Sequence, residues 1–109
     1  MAYGEAITAL ADPTRRTIFE RLRRAEKPVG ELARDLPVSR PAVSQHLRVL
    51  REAGLVRARR DGTRHFYSVD GDGLADLRAY FEGFWEEALV AFKETAESEG
   101  GQEDESGEG

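Results

Sequence analysis

Seven arginines and only two acidic residues, Glu52 and Asp61, fall between Ser39 and Ser68, and Ser44, Gln45 and Arg48 sit among them. At the helical period Val43, Leu47 and Leu50 occupy one narrow arc, while Pro41, Ser44, Gln45, Arg48 and Glu52 lie roughly 100° to 200° from it. Arg40 and Arg51 flank that polar side. Glutamine can pair bidentately with adenine, arginine with guanine and serine with either, so the chemistry on offer is the reading of base edges. Ser39 and Arg40, at the start of the helix, suit a phosphate. His46 falls at the edge between core and polar side, where a packed or capping role outweighs a ligand role and leaves it a minor part in DNA contact. The same inventory argues against catalysis. The chain has two histidines and no cysteine, it has no glycine-rich phosphate loop, and Ser44 beside His46 on one helix does not assemble a nucleophile and base. No enzyme activity and no cofactor are expected, and disulfides and thiolate metal sites are excluded.

The elements that must position these residues are legible on either side. Leu32 to Gly54, LARDLPVSRPAVSQHLRVLREAG, reads as two short helices joined at Pro37-Val38. The first runs from Gly30 to Leu36 and buries Leu32, Ala33 and Leu36; the second runs from an N-cap at Ser39 to Ala53 and is ended by Gly54. Upstream, Tyr3 to Ala11 is helical, and Asp12-Pro13 stops it and starts a helix from Thr14 to Ala25 with Ile18, Leu22 and Ala25 on its apolar stripe. Lys27-Pro28-Val29 is an extended link.

Downstream, Arg57 to Tyr67 reads as a basic hairpin carrying Arg57, Arg59, Arg60 and Arg64, with Asp61-Gly62 as its two-residue loop. That register sets Arg59 against Arg64, a repulsion that an anionic phosphate backbone or minor groove would relieve, although a longer loop is a second option. An exposed polar hairpin with its charges in water remains an alternative, better suited to Arg57 than to the whole cluster. The fold expected is mainly α with a small β-hairpin, in the order α-α-α-α-β-β-α: a winged helix-turn-helix.

The formal net charge is −5, against the usual sign for a DNA binder, but the charge is unevenly placed. Residues 1–70 hold 14 Lys/Arg against 9 Asp/Glu, net +5, and residues 71–109 hold 2 against 12, net −10. Asp70 to Gly73 reads as a flexible joint with a helix cap at one of its aspartates, followed by a helix from Leu74 to about Glu97. Ser98 to Gly109 has no apolar residue and is expected to be a disordered acidic tail, so the folded domain is placed at 1–97. Leu77, Phe81, Phe84, Ala88 and Phe92 form a stripe on the last helix that Leu74, Tyr80, Trp85 and Leu89 widen beyond one packing surface. A homodimer is therefore expected, through Tyr80, Phe84, Trp85, Leu89 and Phe92 together with Tyr3, Ile7 and Leu10 of the first helix. Its two reading helices would lie about 34 Å apart, matching successive major grooves of a palindrome. No apolar run is long enough to cross a bilayer and no secretory signal opens the chain, so a cytoplasmic protein is expected.

The segments ALADPTRRTIFERL, VGELARDLPVSRPAVSQHLRVLREAGLV and RRDGTRHFYSV resemble the ArsR-type (arsenic-repressor-like) family of bacterial and archaeal winged-helix regulators, over about residues 3 to 95. The resemblance implies a homodimer that occupies a double-stranded operator and blocks transcription until a signal releases it, with Ser39 to Ala53 as reading helix and Arg57 to Tyr67 as wing. Where the metal-sensing members carry cysteines, this chain has Glu31, Leu32, Ala33, Arg34 and Asp35, and its last helix contains no histidine. Asp76, Glu82, Glu86 and Glu87 offer at most a weak carboxylate site, which places the chain with the metal-independent branch. A small-molecule effector of unknown identity is left open. The competing reading is a winged-helix interaction module that docks a protein or small molecule through its aromatic last helix.

Overall fold

The computed structural model describes the backbone of residues 3–106 and the side chains of residues 4–98. Its elements are α1 (Tyr3–Ala11), α2 (Pro13–Arg21), β1 (Lys27–Pro28), α3 (Val29–Ala33), α4 (Arg40–Glu52), β2 (Val56–Asp61), β3 (Arg64–Val69) and α5 (Gly71–Ser106). The chain is mainly helical, and the sheet has the order β1-β3-β2, all antiparallel. The link at Lys27-Pro28 is thus a third strand, paired with Tyr67 and Phe66. Proline is tolerated there because β1 is an edge, where its missing N–H costs no ladder bond.

Local chemistry sets the boundaries. Asp12 accepts from the backbone N–H of Arg15 at 3.0 Å, and Pro13 follows at the first helical position. Two arginines of α2 then turn back to satisfy the last carbonyls of α1, Arg15 on Ala9 at 3.3 Å and Arg16 on Leu10 at 2.8 Å. Helix α2 closes at Leu22, so Ala25 lies past its end and is exposed rather than part of the core stripe. Ser39 Oγ accepts from Ala42 N at the start of α4. At its end Leu55 N reaches Leu50 O and Gly54 N reaches Arg51 O, both at 3.0 Å, with Gly54 at φ +82. This is the 6→1 and 5→2 pair of a left-handed C-cap that favours glycine. Helix α3 is shorter than expected, with Pro28 as its N-cap and Arg34 closing it; Leu36 lies in the following turn and still packs on the core.

Ile18, Leu22, Leu32, Val43, Leu47, Leu50, Leu55 and Val56 form the fully buried centre, with Ala6, Ala9, Ala53 and Leu77 around it. A first compact unit ends at Leu77, and the rest of α5 from Arg78 is a unit of its own. In the stretch expected as a joint, Gly71 to Gly73 begin α5, and the expected aspartate cap is Asp70. Asp70 Oδ1 accepts from Asp72 N (3.0 Å) and Gly73 N (3.5 Å), while Asp70 N donates to Leu55 O (2.9 Å). Gly73 is so close to the end of α4 that a Cβ there would lie 1.7 Å from Gly54 O, whereas Gly71 faces open space. Beyond Glu97 the backbone continues helically to Ser106. Of the tail expected at 98–109, residues 107–109 and all side chains from residue 99 lie outside the described residues.

Two outcomes follow for stability. Gly73→Ala should destabilise the fold by about 1–3 kcal/mol through overpacking, whereas Gly71→Ala should stay within about 0.5 kcal/mol, as read by denaturant unfolding at fixed protein concentration; equal stabilities would dissociate the start of α5 from the end of α4. The hydrogen bond from Arg15 N holds the Asp12 carboxyl below its ordinary range. Its contribution is therefore complete above the unfolded-state value and is lost as pH falls from there through the lowered value of the folded state. Asp12→Asn, which keeps the cap acceptor but cannot ionise, should be less stable than wild type at pH 7 by a margin that shrinks in thermal scans toward pH 3.

Candidate nucleic-acid interface

Helix α4 turns Val43, Leu47 and Leu50 into the core and leaves Pro41, Ser44, Gln45, Arg48, Arg51 and Glu52 exposed, as the period requires. Arg48 Nε lies 3.3 Å from Glu52 Oε2, one helical turn on, with both side chains largely in water. Such a pair aligns the arginine along the exposed face and is weak enough to yield to a base edge. His46 is half-buried, and its Nδ1 accepts from Arg15 Nε at 3.4 Å, which ties α4 to α2.

The N-terminal end of α4 opens onto a cleft of about 680 Å³ shared by α3, α4 and the wing tip, with Arg34, Arg40, Ser44, Arg64 and His65 on its walls and Glu31 as the one acid. The Arg40 guanidinium reaches over Gly30, where an added methyl would lie 3.5 Å from Nη1. Arginines from three elements thus line one cleft beside the start of the reading helix, and guanidinium is a group that can bind phosphate oxygens bidentately. Arg34 and His65 were not among the predicted contacts. Arg34 comes from a short helix whose orientation is decided by Leu32 burying into the core, and no local pattern marks it.

The wing differs from the predicted register. Val56 pairs with Val69, Arg59 with Phe66, Arg60 with His65 and Asp61 with Arg64, so Gly62 and Thr63 are the loop, with Gly62 at φ +67. A glycine at positive φ followed by an ordinary residue is the pattern of the type II′ hairpin turn. The shift sets Asp61 rather than Arg59 opposite Arg64 in the ladder, and the Asp61 carboxylate reaches Arg59 Nη1 at 4.0 Å. Alternation along the strands places Arg57, Arg59 and Arg64 on one face with Phe66, and Arg60 and His65 on the other. Arg60 Nε also bonds back to Gly62 O at 3.3 Å.

The four wing arginines therefore do not form one row. Arg59 has an internal partner in Glu26, which accepts from Nε at 3.1 and 3.2 Å and also from Nη2. At Arg59 the chain itself supplies an anion, the Glu26 carboxylate. Arg59 and Arg64 both lie against the Phe66 ring, 4.8 and 4.9 Å from its centroid.

Considered by itself, the unit from Arg78 onward is an amphipathic helix with its apolar side open. Phe84, Trp85 and Phe92 leave 55%, 63% and 71% of their surface exposed, and Phe81, Leu89 and Val90 are also exposed. Tyr80 is half-buried, with its ring edge-on to Phe81 and Phe84 at 5.5 and 5.2 Å. On α1, Ile7 is exposed and Leu10 half-buried, while the Tyr3 side chain lies outside the described residues. Among the described residues no three acidic or histidine side chains converge as metal ligands, and no helix is long and apolar enough to cross a membrane.

Comparison with known proteins matches this geometry. The profile of the bacterial regulatory proteins of the arsR family fits residues 12–58. The HTH-type transcriptional regulator Rv2034 of Mycobacterium tuberculosis is 58% identical over 92 residues, covering 84% of this chain and 86% of that protein. The crystal structure of a possible transcriptional regulator for arsenical resistance superposes with a TM-score of 0.68 at 48% identity, over 80% of this chain and 94% of that one. The homodimeric winged helix-turn-helix DNA-binding domain of Mb0332 from Mycobacterium bovis, a possible ArsR-family regulator, gives a TM-score of 0.64 at 32% identity, over 81% and 82%. The reading helix, the glycine-capped turn and the wing occur here in one chain with that degree of likeness, and the chain belongs to the arsR family as a winged helix-turn-helix transcriptional regulator, not an enzyme.

Proposed function

We propose that the protein is a homodimeric repressor that occupies a palindromic operator in the cytoplasm, reads bases with Ser44, Gln45 and Arg48, and grips the backbone with Ser39, Arg34, Arg40 and Arg64. The observation that carries this reading is the exposed polar face of α4 opening directly onto the arginine-walled cleft. Base-edge donors and phosphate ligands need to be this close, because a helix seated in a major groove has backbone on both flanks. Arg51, Arg57 and Arg60 add positive field around the site, and His46 contributes by fixing α4 against α2.

The second copy is proposed to pack on the open side of α5. An aromatic side chain buries about 150–250 Å² and each Å² of apolar surface contributes roughly 25 cal/mol, so leaving Phe84, Trp85, Leu89 and Phe92 in water would forgo a large stabilisation. Ile7 and Leu10 of α1, with Tyr3, are proposed to take part. The cysteine-free sequence and the lack of histidine in α5 support a protein that senses no thiophilic metal.

In anisotropy titrations with a palindromic promoter duplex, Arg48→Ala should cost roughly 1–3 kcal/mol and relax one base position. Arg40→Ala or Arg64→Ala should weaken all duplexes alike and flatten the dependence of log K on log salt by about 0.9 per contact. An Arg48→Ala protein with unchanged sequence preference would refute the assignment of the reading face. Light scattering should give twice the 12.2 kDa chain mass, and the double variant Phe84→Glu/Trp85→Glu should yield folded monomer with operator affinity reduced at least tenfold; a wild-type monomer that bound the palindrome tightly would contradict the dimer.

A further inference from the structure

Glu26 lies between α2 and β1, 33 residues from the wing arginine that it engages. Its two carboxylate oxygens take Arg59 through Nε and Nη2, with Asp61 Oδ2 a further 4.0 Å from Nη1. That is the planar fork-to-two-oxygens geometry by which arginine recognises a phosphate. The Phe66 ring backs the same guanidinium at 4.8 Å, so Arg59 is held flat as well as paired. The hydrogen bonds from Arg59 hold the Glu26 carboxyl below its usual range.

The pair is also a surface contact that a substitution can release. The Arg59 and Glu26 side chains remain 53% and 38% exposed, and ion pairs in contact with water are screened and weak. No core packing depends on the contact, because both strands of the wing are already registered by the ladder and by Val56, Tyr67 and Val69.

We infer that Glu26 is an internal phosphate mimic that withholds Arg59 from the DNA backbone and so lowers the sequence-independent affinity of the wing. The inference rests on the DNA-binding reading above. Arg59 stays paired in the complex and one phosphate contact is forgone, so Glu26 subtracts from binding to every sequence alike, and the grip on bulk DNA is reduced without touching Gln45 or Arg48.

The test uses the full chain with two duplexes, a palindromic promoter fragment and a scrambled fragment of equal length, titrated by anisotropy at several salt concentrations. Glu26→Gln should bind both duplexes about three- to tenfold more tightly at 50 mM salt and steepen the log K against log salt slope by about 0.9. Arg59→Gln should change binding less than twofold in the wild-type background but abolish the gain in the Glu26→Gln background. Glu26→Ala should reproduce the gain, and thermal unfolding of each variant within a few degrees of wild type separates the charge effect from damage to the wing. Binding of Glu26→Gln that is unchanged or weaker on both duplexes, or a cost of Arg59→Gln that is the same in the two backgrounds, would overturn the inference. Wild-type affinity reports on the DNA reading and the variant-to-wild-type ratio on Glu26, so the two fail separately.

Discussion

The turn at Gly54-Leu55 is the constraint on which the rest of the molecule depends. Its left-handed backbone ends the reading helix, and the bond from Leu55 N to Leu50 O fixes the direction in which the chain leaves. Leu55 and Val56 are then buried, which starts the wing at a set angle to α4. Gly54 and Leu55 also receive the chain as it leaves the wing, since Leu55 O accepts from Asp70 N and Gly54 O lies against Gly73. Reading helix, wing and the start of α5 are thereby referenced to two peptide units, and the cleft that holds Arg40 and Arg64 is a consequence of that reference.

The acidic chain assembles a basic site by assigning its arginines to different tasks. Arg15 and Arg16 close α1 and tie α2 to its neighbours, and Arg78 pairs with Glu82 along α5. Arg48 is aligned by Glu52 and Arg59 is held by Glu26. What is left around the start of α4, namely Arg34, Arg40 and Arg64, comes from three elements and meets only one acid, Glu31, in the cleft. A net charge summed over the sequence conceals this arrangement, because a local field depends on which charges share a surface.

How much of this was legible follows the range of the interactions. The caps at Asp12 and Ser39, the stop at Gly54 and the buried stripe Val43, Leu47 and Leu50 are decided within four residues or one turn, and they were read correctly. The family, the winged helix-turn-helix and the exposed face of α4 followed from them. Asp-Gly is a good turn signal on its own and points to a loop one residue early, whereas the ladder sets Asp61 opposite Arg64 and Phe66 opposite Arg59. The two-residue strand β1, the burial limit of α2 at Leu22 and the pairing of Glu26 with Arg59 depend on residues distant in sequence, and no local pattern encodes them. At 70–73 the aspartate cap is local and legible, whereas the close packing of Gly73 shows only through the approach of Gly54.

The central claim is that the exposed face of α4 and the walls of the adjoining cleft engage DNA as one surface. Arginine side-chain Nε–Hε spectra of the protein, recorded while a palindromic duplex is titrated in, test it most directly. Arg34, Arg40, Arg48 and Arg64 should shift together and saturate at one DNA duplex per two chains, while Arg23, Arg24 and Arg78 stay in place. Perturbation centred on Arg23 and Arg24 or on α5, with Arg40 and Arg48 unmoved, would contradict the account.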